Sequence, residues 1–301
     1  MEYAVVAGAN GFVGSALVKI LLENGVSVTA IDIKGDNLPK GVDFVRCDVA
    51  DIDTISDRIT IHDDSVFYHL AWRGTSGNER GDVVVQTDNV RNAAKCLTVA
   101  KNMGCKRFVF AGTIMEHEAY YATFEKGDKA GIGYIYGASK YLAHTTCKAL
   151  AAVHGIEFVW AGLTNAYGVG ELSPRLVNST IRKIIKNEPL QFTSGTQNYD
   201  FVYIDDAARA FYLIGKNGKP FCEYIISSGD AKPLREFLLV MKASIASDRD
   251  FRFGDVPFSG VDLPLDVFDC AKTRSDTGFE AQVSFSDGVK YTMDWLVEYE
   301  R

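Results

Sequence analysis

Tyr136 and Lys140 stand four residues apart in the stretch Tyr136-Gly137-Ala138-Ser139-Lys140. On a helix that spacing puts both side chains on one face. An ammonium beside a phenol favours the phenolate and lowers the tyrosine pKa from its usual value of about 10. The expected chemistry is proton exchange with a substrate hydroxyl near neutral pH. Taken alone, such a pair occurs by chance in many helices. It gains weight from a second set of residues near the N-terminus.

That set is Gly8-Ala9-Asn10-Gly11-Phe12-Val13-Gly14, which follows a short apolar run from Tyr3 to Ala7 and opens a helical pattern. Gly8 permits a tight turn out of a strand, Gly11 lets a pyrophosphate approach the backbone, and Gly14 lets the helix lie close to the sheet. The helix N-terminus offers free N–H groups and a positive dipole end to phosphates. Asp32 follows 18 residues after Gly14, at the end of the next strand pattern. A carboxylate there accepts hydrogen bonds from the adenosine ribose and repels the extra phosphate of NADP. NAD is therefore the expected cofactor, with Lys34 nearby as the one residue that speaks for NADP.

These residues need a sheet to hold them, and the chain supplies strand and helix patterns in alternation. Strand patterns run over Tyr3–Ala7, Val26–Ile33, Phe44–Val45, Ser65–Leu70, Arg107–Ala111 and Phe158–Leu163. Helical patterns run over Phe12–Glu23, Asp88–Met103 and Tyr136–Val153. Such alternation predicts an α/β fold, a doubly wound parallel sheet of the Rossmann type. After about Tyr167 the pattern changes. Helices are expected at Arg175–Lys186 and Asp206–Gly215, strands at Phe201–Ile204 and Glu223–Ile226, and mixed pieces from Leu234 onward. We expect residues 1–166 plus about 200–228 to form the NAD-binding domain. Residues about 167–199 plus 229–301 are expected to form a smaller mixed α/β lobe over the carboxyl edge of the sheet, where ligands of such sheets sit.

Composition narrows the function classes. The 301 residues are 47% apolar and 24% charged, as in an ordinary globular enzyme. A net charge of −7 argues against nucleic-acid binding, which needs basic patches. The six cysteines are scattered, with no C-x-x-C pair and no histidine at metal spacing. No metal site is expected, and reduced thiols in a cytoplasmic protein are the simplest reading. The Met1-Glu2-Tyr3 start reads as the lead-in to a strand, not as a signal peptide, and no apolar run reaches membrane-spanning length.

With the nucleotide motif and the Tyr-Lys pair in one chain, the sequence resembles the extended short-chain dehydrogenase/reductases, the NAD-dependent epimerase/dehydratase family. The resemblance extends through Cys47-Asp48-Val49, His69-Leu70-Ala71, Gln86 with Asn89-Val90, Phe110-Ala111-Gly112-Thr113, Thr164-Asn165-Ala166-Tyr167-Gly168 and Asp200-Phe201-Val202-Tyr203-Ile204-Asp205-Asp206. It implies catalytic roles for Thr113, which would hydrogen-bond the reacting hydroxyl, for Tyr136 as acid/base, and for Lys140, which would bind the nicotinamide ribose and tune Tyr136. It implies NAD contacts from Gly8, Asn10, Gly11, Phe12, Val13 and Gly14, from Asp32 and Ile33, and from Asp48 and Val49. Further NAD contacts are implied for Leu70, Ala71, Asn89, Ala111, Gly112 and Leu163, besides Tyr136 and Lys140. Substrate contacts fall to Trp72, Thr113, Met115, Asn165 and Tyr199. Read without the resemblance, Thr113 is a β-branched strand residue and Asn165 a turn former.

The chain departs from the family pattern at informative places. The 4,6-dehydratases carry an Asp-Glu pair directly after the catalytic threonine, where this chain has Ile114 and Met115. Glu116, His117 and Glu118 follow out of that register, which disfavours dehydration. Tyr199 and Ser259 stand where family arginines grip a diphosphate. Arg175, Arg182, Arg235, Arg252 and Arg274 are unranked candidates for that task. Trp72-Arg73 replaces small residues beside the expected sugar position, through a reshaped pocket or through core packing. The leading expectation is a nucleotide-sugar 4-epimerase, homodimeric, without nucleic-acid or membrane partners. A nucleotide-sugar 4-dehydrogenase or 4-ketoreductase is the alternative, and a catalytically silent NAD-binding regulator is the reading from another class. Base, sugar and pathway are not legible in the sequence.

Overall fold

The structure is a computed structural model and describes residues 1–59, 61, 62, 64–125 and 131–300. The chain begins with β1 (Tyr3–Ala7), α1 (Phe12–Glu23), β2 (Ser27–Asp32), β3 (Asp43–Arg46), β4 (Val66–His69) and α2 (Val83–Met103). It continues with β5 (Arg107–Thr113), α3 (Met115–Tyr120), α4 (Tyr134–His154), β6 (Glu157–Leu163), β7 (Asn165–Tyr167), α5 (Leu176–Ile185) and β8 (Leu190–Phe192). Next come β9 (Asn198–Tyr199), β10 (Phe201–Tyr203), α6 (Ile204–Asn217) and β11 (Glu223–Ile226). The chain ends with β12 (Lys232–Pro233), α7 (Leu234–Ile245), β13 (Phe251–Phe253), α8 (Ala271–Thr277) and α9 (Phe285–Tyr299).

Seven strands form a parallel sheet in the order β11-β6-β5-β4-β1-β2-β3. This is the expected doubly wound Rossmann-type α/β fold. Alternation along each strand divides the core between the two faces. On β5, Phe108 and Phe110 join one apolar cluster with Leu97 of α2 and Ala143 of α4. Val109 between them joins the opposite cluster with Leu17 and Leu21 of α1 and Phe211 of α6. A third cluster, built around Ile181, Phe201, Phe237, Met241 and Leu296, ties α5, α7 and α9 together beyond the sheet. The order in which strands are added reverses between β1 and β4, and the crevice at that switch point opens at the carboxyl ends of the strands.

Some element bounds differ from the sequence expectation. Helix α2 begins five residues before Asp88, because Asp82 caps it by accepting from the Val84 and Val85 N–H groups. Strand β5 extends two residues past Ala111 to Thr113. The sequence pattern did not predict α3, whose six residues leave almost no apolar periodicity to read.

Candidate active site

The turn after β1 carries the first half of the site. Gly8 has φ +83°, and a Cβ there would lie 2.5 Å from the Ala71 nitrogen. A Cβ on Gly14 would lie 2.0 Å from the Gly8 carbonyl oxygen. Both positions therefore demand glycine, the first for conformation and contact, the second for contact alone. No side chain caps α1, so its first turn keeps N–H groups for a ligand. Asp32 accepts from the Asn10 N–H through Oδ2 (2.9 Å) and from the Ile33 N–H through Oδ1 (2.7 Å), which fixes its carboxylate at the end of β2.

A groove of about 440 Å³ runs from this turn across the sheet edge. It brings together Gly8, Gly11, Asp32, Ile33, Asp48 and Val49 with Leu70, Ala71 and Asn89. A glycine cradle, an uncapped helix start and a fixed carboxylate are the donor and acceptor set that a dinucleotide needs, so these residues fit NAD. The other expected contacts lie elsewhere. The Asn10 carboxamide oxygen accepts from the Asn37 N–H (2.7 Å), and Phe12 and Val13 pack against the apolar clusters. Gly112 and Leu163 line a neighbouring cavity. The Ala111 carbonyl accepts from Lys140 Nζ at 2.8 Å.

Trp72 lines the dinucleotide groove and is not among the residues that line the neighbouring cavity, where the sequence reading put it. Its indole N–H donates to Gln86 Oε1 (2.8 Å), its ring centroid lies 3.9 Å from Lys140 Nζ, and its ring stands perpendicular to that of Tyr136 with the centroids 6.3 Å apart. It therefore forms part of the wall behind the Tyr-Lys pair.

The neighbouring cavity measures about 480 Å³. Thr113 at the end of β5 and Tyr136 in the first turn of α4 both face it. Met115, Asn165 and Tyr199 also line it, from α3, β7 and β9. The Asn165 carboxamide donates to the Asp200 carbonyl (2.9 Å), so its other end is what remains for a ligand. Of the five candidate arginines, Arg175 lines the cavity. The others are engaged elsewhere: Arg182 with Glu300, Arg235 over Phe253, Arg252 with Asp250 and Arg274 with Glu280. Two further lining residues were not among the expected contacts. Arg80 sits on a short turn and Glu118 on α3, neither within a periodic pattern.

Electrostatics correct one expectation. The Tyr136 phenol stands above the ordinary tyrosine value, because burial outweighs the pull of Arg175, of Arg80 and of Thr113. Burial also pushes Lys140 down to about 7, against the opposing charge of Glu116. Glu116 itself is buried and accepts from the Thr113 N–H (3.0 Å), the Trp160 indole (3.1 Å) and His144 Nδ1 (3.0 Å). Burial disfavours the His144 imidazolium, yet Glu116 and Glu223 outweigh it and hold its pKa above the usual value. Glu118 has no hydrogen-bond partner for its carboxylate among the described residues, and burial pushes it up to about 7, with Arg80 opposing.

The profile of the NAD dependent epimerase/dehydratase family matches residues 4–226. The chain is 27% identical to a putative UDP-glucose 4-epimerase of Methanocaldococcus jannaschii, over 99% of each chain. It is 25% identical to a probable dTDP-glucose 4,6-dehydratase of Sinorhizobium fredii, over 98% of this chain and 92% of that one. Its fold superposes on a UDP-glucose 4-epimerase of Thermotoga maritima with a TM-score of 0.83 at 21% identity, covering 99% and 100% of the two chains. With a glycine cradle for the dinucleotide and a Thr-Tyr pair at the adjoining cavity, the chain belongs to the NAD dependent epimerase/dehydratase family, as an enzyme of the extended short-chain dehydrogenase/reductase type whose cofactor is NAD.

Proposed function

We propose that the protein is a nucleotide-sugar 4-epimerase. Tyr136 exchanges the proton of the sugar 4-hydroxyl, and Thr113 holds that hydroxyl in place. The observation that carries this reading is that Thr113 and Tyr136 together line the wall of a cavity of about 480 Å³ beside the dinucleotide groove. Gly8, Gly11, the first turn of α1 and Asp32 would hold NAD, which supplies a hydride acceptor and donor when bound. Lys140, at the back of the same wall, would meet the ribose. Residues 167–199 and 229–301 form the substrate-binding lobe, with Met115, Asn165 and Tyr199 against the sugar or its diphosphate and Arg175 as the available cation. Ile114 and Met115 offer no acid at the two positions where a 4,6-dehydratase would carry its carboxylates, which favours epimerisation over water loss.

No helix among the described residues is long and apolar enough to cross a membrane. We place the enzyme in the cytoplasm as a homodimer joined through α2 and α4. On those helices Val83, Val84, Leu142 and Val153 are exposed, while Leu150 packs on the core. A monomer by light scattering at micromolar concentration would count against the dimer.

The test of the activity is incubation with NAD and a panel of UDP-, dTDP-, CDP- and GDP-sugars, read by proton NMR. The expected product is the 4-epimer without accumulation of NADH. Stoichiometric NADH would make the protein a dehydrogenase, and loss of water would make it a dehydratase. Either result overturns the epimerase.

A further inference from the structure

A set of buried polar side chains adjoins Thr113 without lining the cavity, and the proton exchange assigned to Tyr136 leaves it without a task. Its centre is Glu116 on α3, which is 3% exposed. Glu116 Oε1 accepts from the Thr113 N–H (3.0 Å) and from the Trp160 indole N–H (3.1 Å), and Oε2 lies 3.0 Å from His144 Nδ1. His144 Nε2 lies 3.5 Å from Glu223 at the start of β11, which also takes Lys148 Nζ of α4 at 2.7 Å. The contacts thus run from the main chain of Thr113 to the protein surface.

Two glycines make room for this arrangement. Gly112 of β5 and Gly162 of β6 stand opposite each other in the ladder. A Cβ on Gly112 would lie 2.0 Å from Trp160 Nε1, and one on Gly162 would lie 1.8 Å from Trp160 Cη2. The indole therefore fills the space of two missing side chains, next to Thr113. His144 stacks on it, with centroids 5.1 Å apart and planes 17° from parallel. A buried indole N–H and a buried carboxylate are each costly alone, and here each satisfies the other.

Thr113 ends β5 at a one-sided edge. Strand β4 stops at His69, opposite Phe110, so Ala111, Gly112 and Thr113 are paired with β6 alone. Glu116 supplies a partner for the Thr113 N–H there. Thr113 Oγ1 in turn accepts from the Met115 N–H (3.3 Å). The two bonds have the reciprocal form of a capping box over Thr113-Ile114-Met115-Glu116, where β5 turns into α3. A threonine hydroxyl has one hydrogen to give and two lone pairs to fill. With Met115 on a lone pair, the hydrogen is left for an oxygen in the cavity. Because a β-branched side chain is stiff at χ1, the place of that hydroxyl follows its main chain.

We propose that Glu116, braced by Trp160 and His144, is the positioning residue of Thr113, fixing its main chain so that the hydroxyl faces the cavity as a donor. The proposal rests on the reading of Thr113 as the group that holds the reacting hydroxyl.

The first test needs no substrate. In the full chain with saturating NAD, the carbon-13 signal of the Thr113 methyl is assigned by its loss in Thr113→Val. Glu116→Met removes the acceptor at similar volume and should shift and broaden that signal. Glu116→Gln keeps an oxygen for Thr113 and Trp160 and should restore it. If Glu116→Met does not fold, Trp160→Phe takes one donor from Glu116 and should move the signal the same way by less. An unmoved methyl signal overturns the proposal. The second test is kinetic, on the nucleotide sugar that the panel identifies. Glu116→Met should lower kcat about tenfold with KM within about twofold, and Glu116→Gln should recover most of the loss. Added to Thr113→Val, Glu116→Met should cost nothing further, because its effect runs through that hydroxyl. Losses that multiply in the double variant overturn the proposal. Failure of the epimerase reading shows separately, as NADH or loss of water in the panel, and the methyl signal is read whichever product forms.

Discussion

The dinucleotide groove and the cavity proposed for the substrate lie side by side at one edge of the sheet, and they are made of different material. The groove offers main chain at Gly8, Gly11 and the open first turn of α1, with the carboxylate of Asp32 fixed at the end of β2. The cavity is mostly side chain, with Arg80, Thr113, Glu118, Tyr136, Asn165, Arg175 and Tyr199 delivered by segments far apart in the chain. Main-chain donors can be blocked but not exchanged. Side chains can be exchanged one at a time with the sheet intact. The groove therefore fixes the cofactor class, while the cavity is free to set substrate and reaction.

If that contrast holds, the largest effect belongs to a cavity residue and leaves the groove untouched. Tyr136→Phe removes one hydroxyl from a ring held by Arg80 and Trp72. Turnover on a confirmed substrate should fall about 10²- to 10⁴-fold, while the NAD dissociation constant stays within about twofold. An NAD affinity that fell in step with turnover would show that the two regions are one unit.

The groove should answer to added atoms. Gly8→Ala imposes a left-handed backbone on an L-residue and sets a Cβ 2.5 Å from the Ala71 nitrogen. Strain of about 1–3 kcal/mol is expected, read as a loss of about 10- to 100-fold in NAD affinity. Unchanged binding by calorimetry would contradict the tight cradle. Asp32→Ala is milder, because it opens the groove rather than filling it. The preference for NAD over NADP should narrow about tenfold as the repelling carboxylate goes. A constant ratio would assign that discrimination to other residues.

The same contrast explains what could be read from the sequence. The groove was legible because its parts are consecutive: three glycines at fixed spacing, a strand before them and an acid after the next strand. The doubly wound parallel sheet followed from the alternation of patterns and the handedness of crossovers. Thr113 and Tyr136 were legible only through the company of that motif. Arg80 was not, because nothing in the turn Asn78–Gly81 announces a ring far along the chain. Spacing placed Tyr136 and Lys140 on one helix, but it carried no information on the Ala111 carbonyl that captures the ammonium. The start of α2 was missed although Asp82 is a sound N-cap, because the exposed Val83 and Val84 break the apolar stripe.

The smallest expected effect tests whether the cavity keeps a residue that stability would discard. Burial raises the Glu118 carboxyl from the usual 4.5 to about 7. The folded chain then binds this proton more tightly than the unfolded chain does. Between pH 4.5 and 7 the unfolded state holds fewer protons, so stability falls as pH rises through that window. Above it, an ionised Glu118 is a standing cost. Glu118→Gln keeps the shape and removes the titration, so it should be nearly neutral at pH 5 and stabilising at pH 8. The gain is of the order of 1 kcal/mol once solvent in the open cavity is allowed for, and thermal melts at the two pH values would measure it. Equal melting shifts at both pH values would remove the titration as the cause. A stabilised variant with impaired turnover would mean that Glu118 is retained for the substrate it faces, at a site where sequence periodicity gives no hint of it.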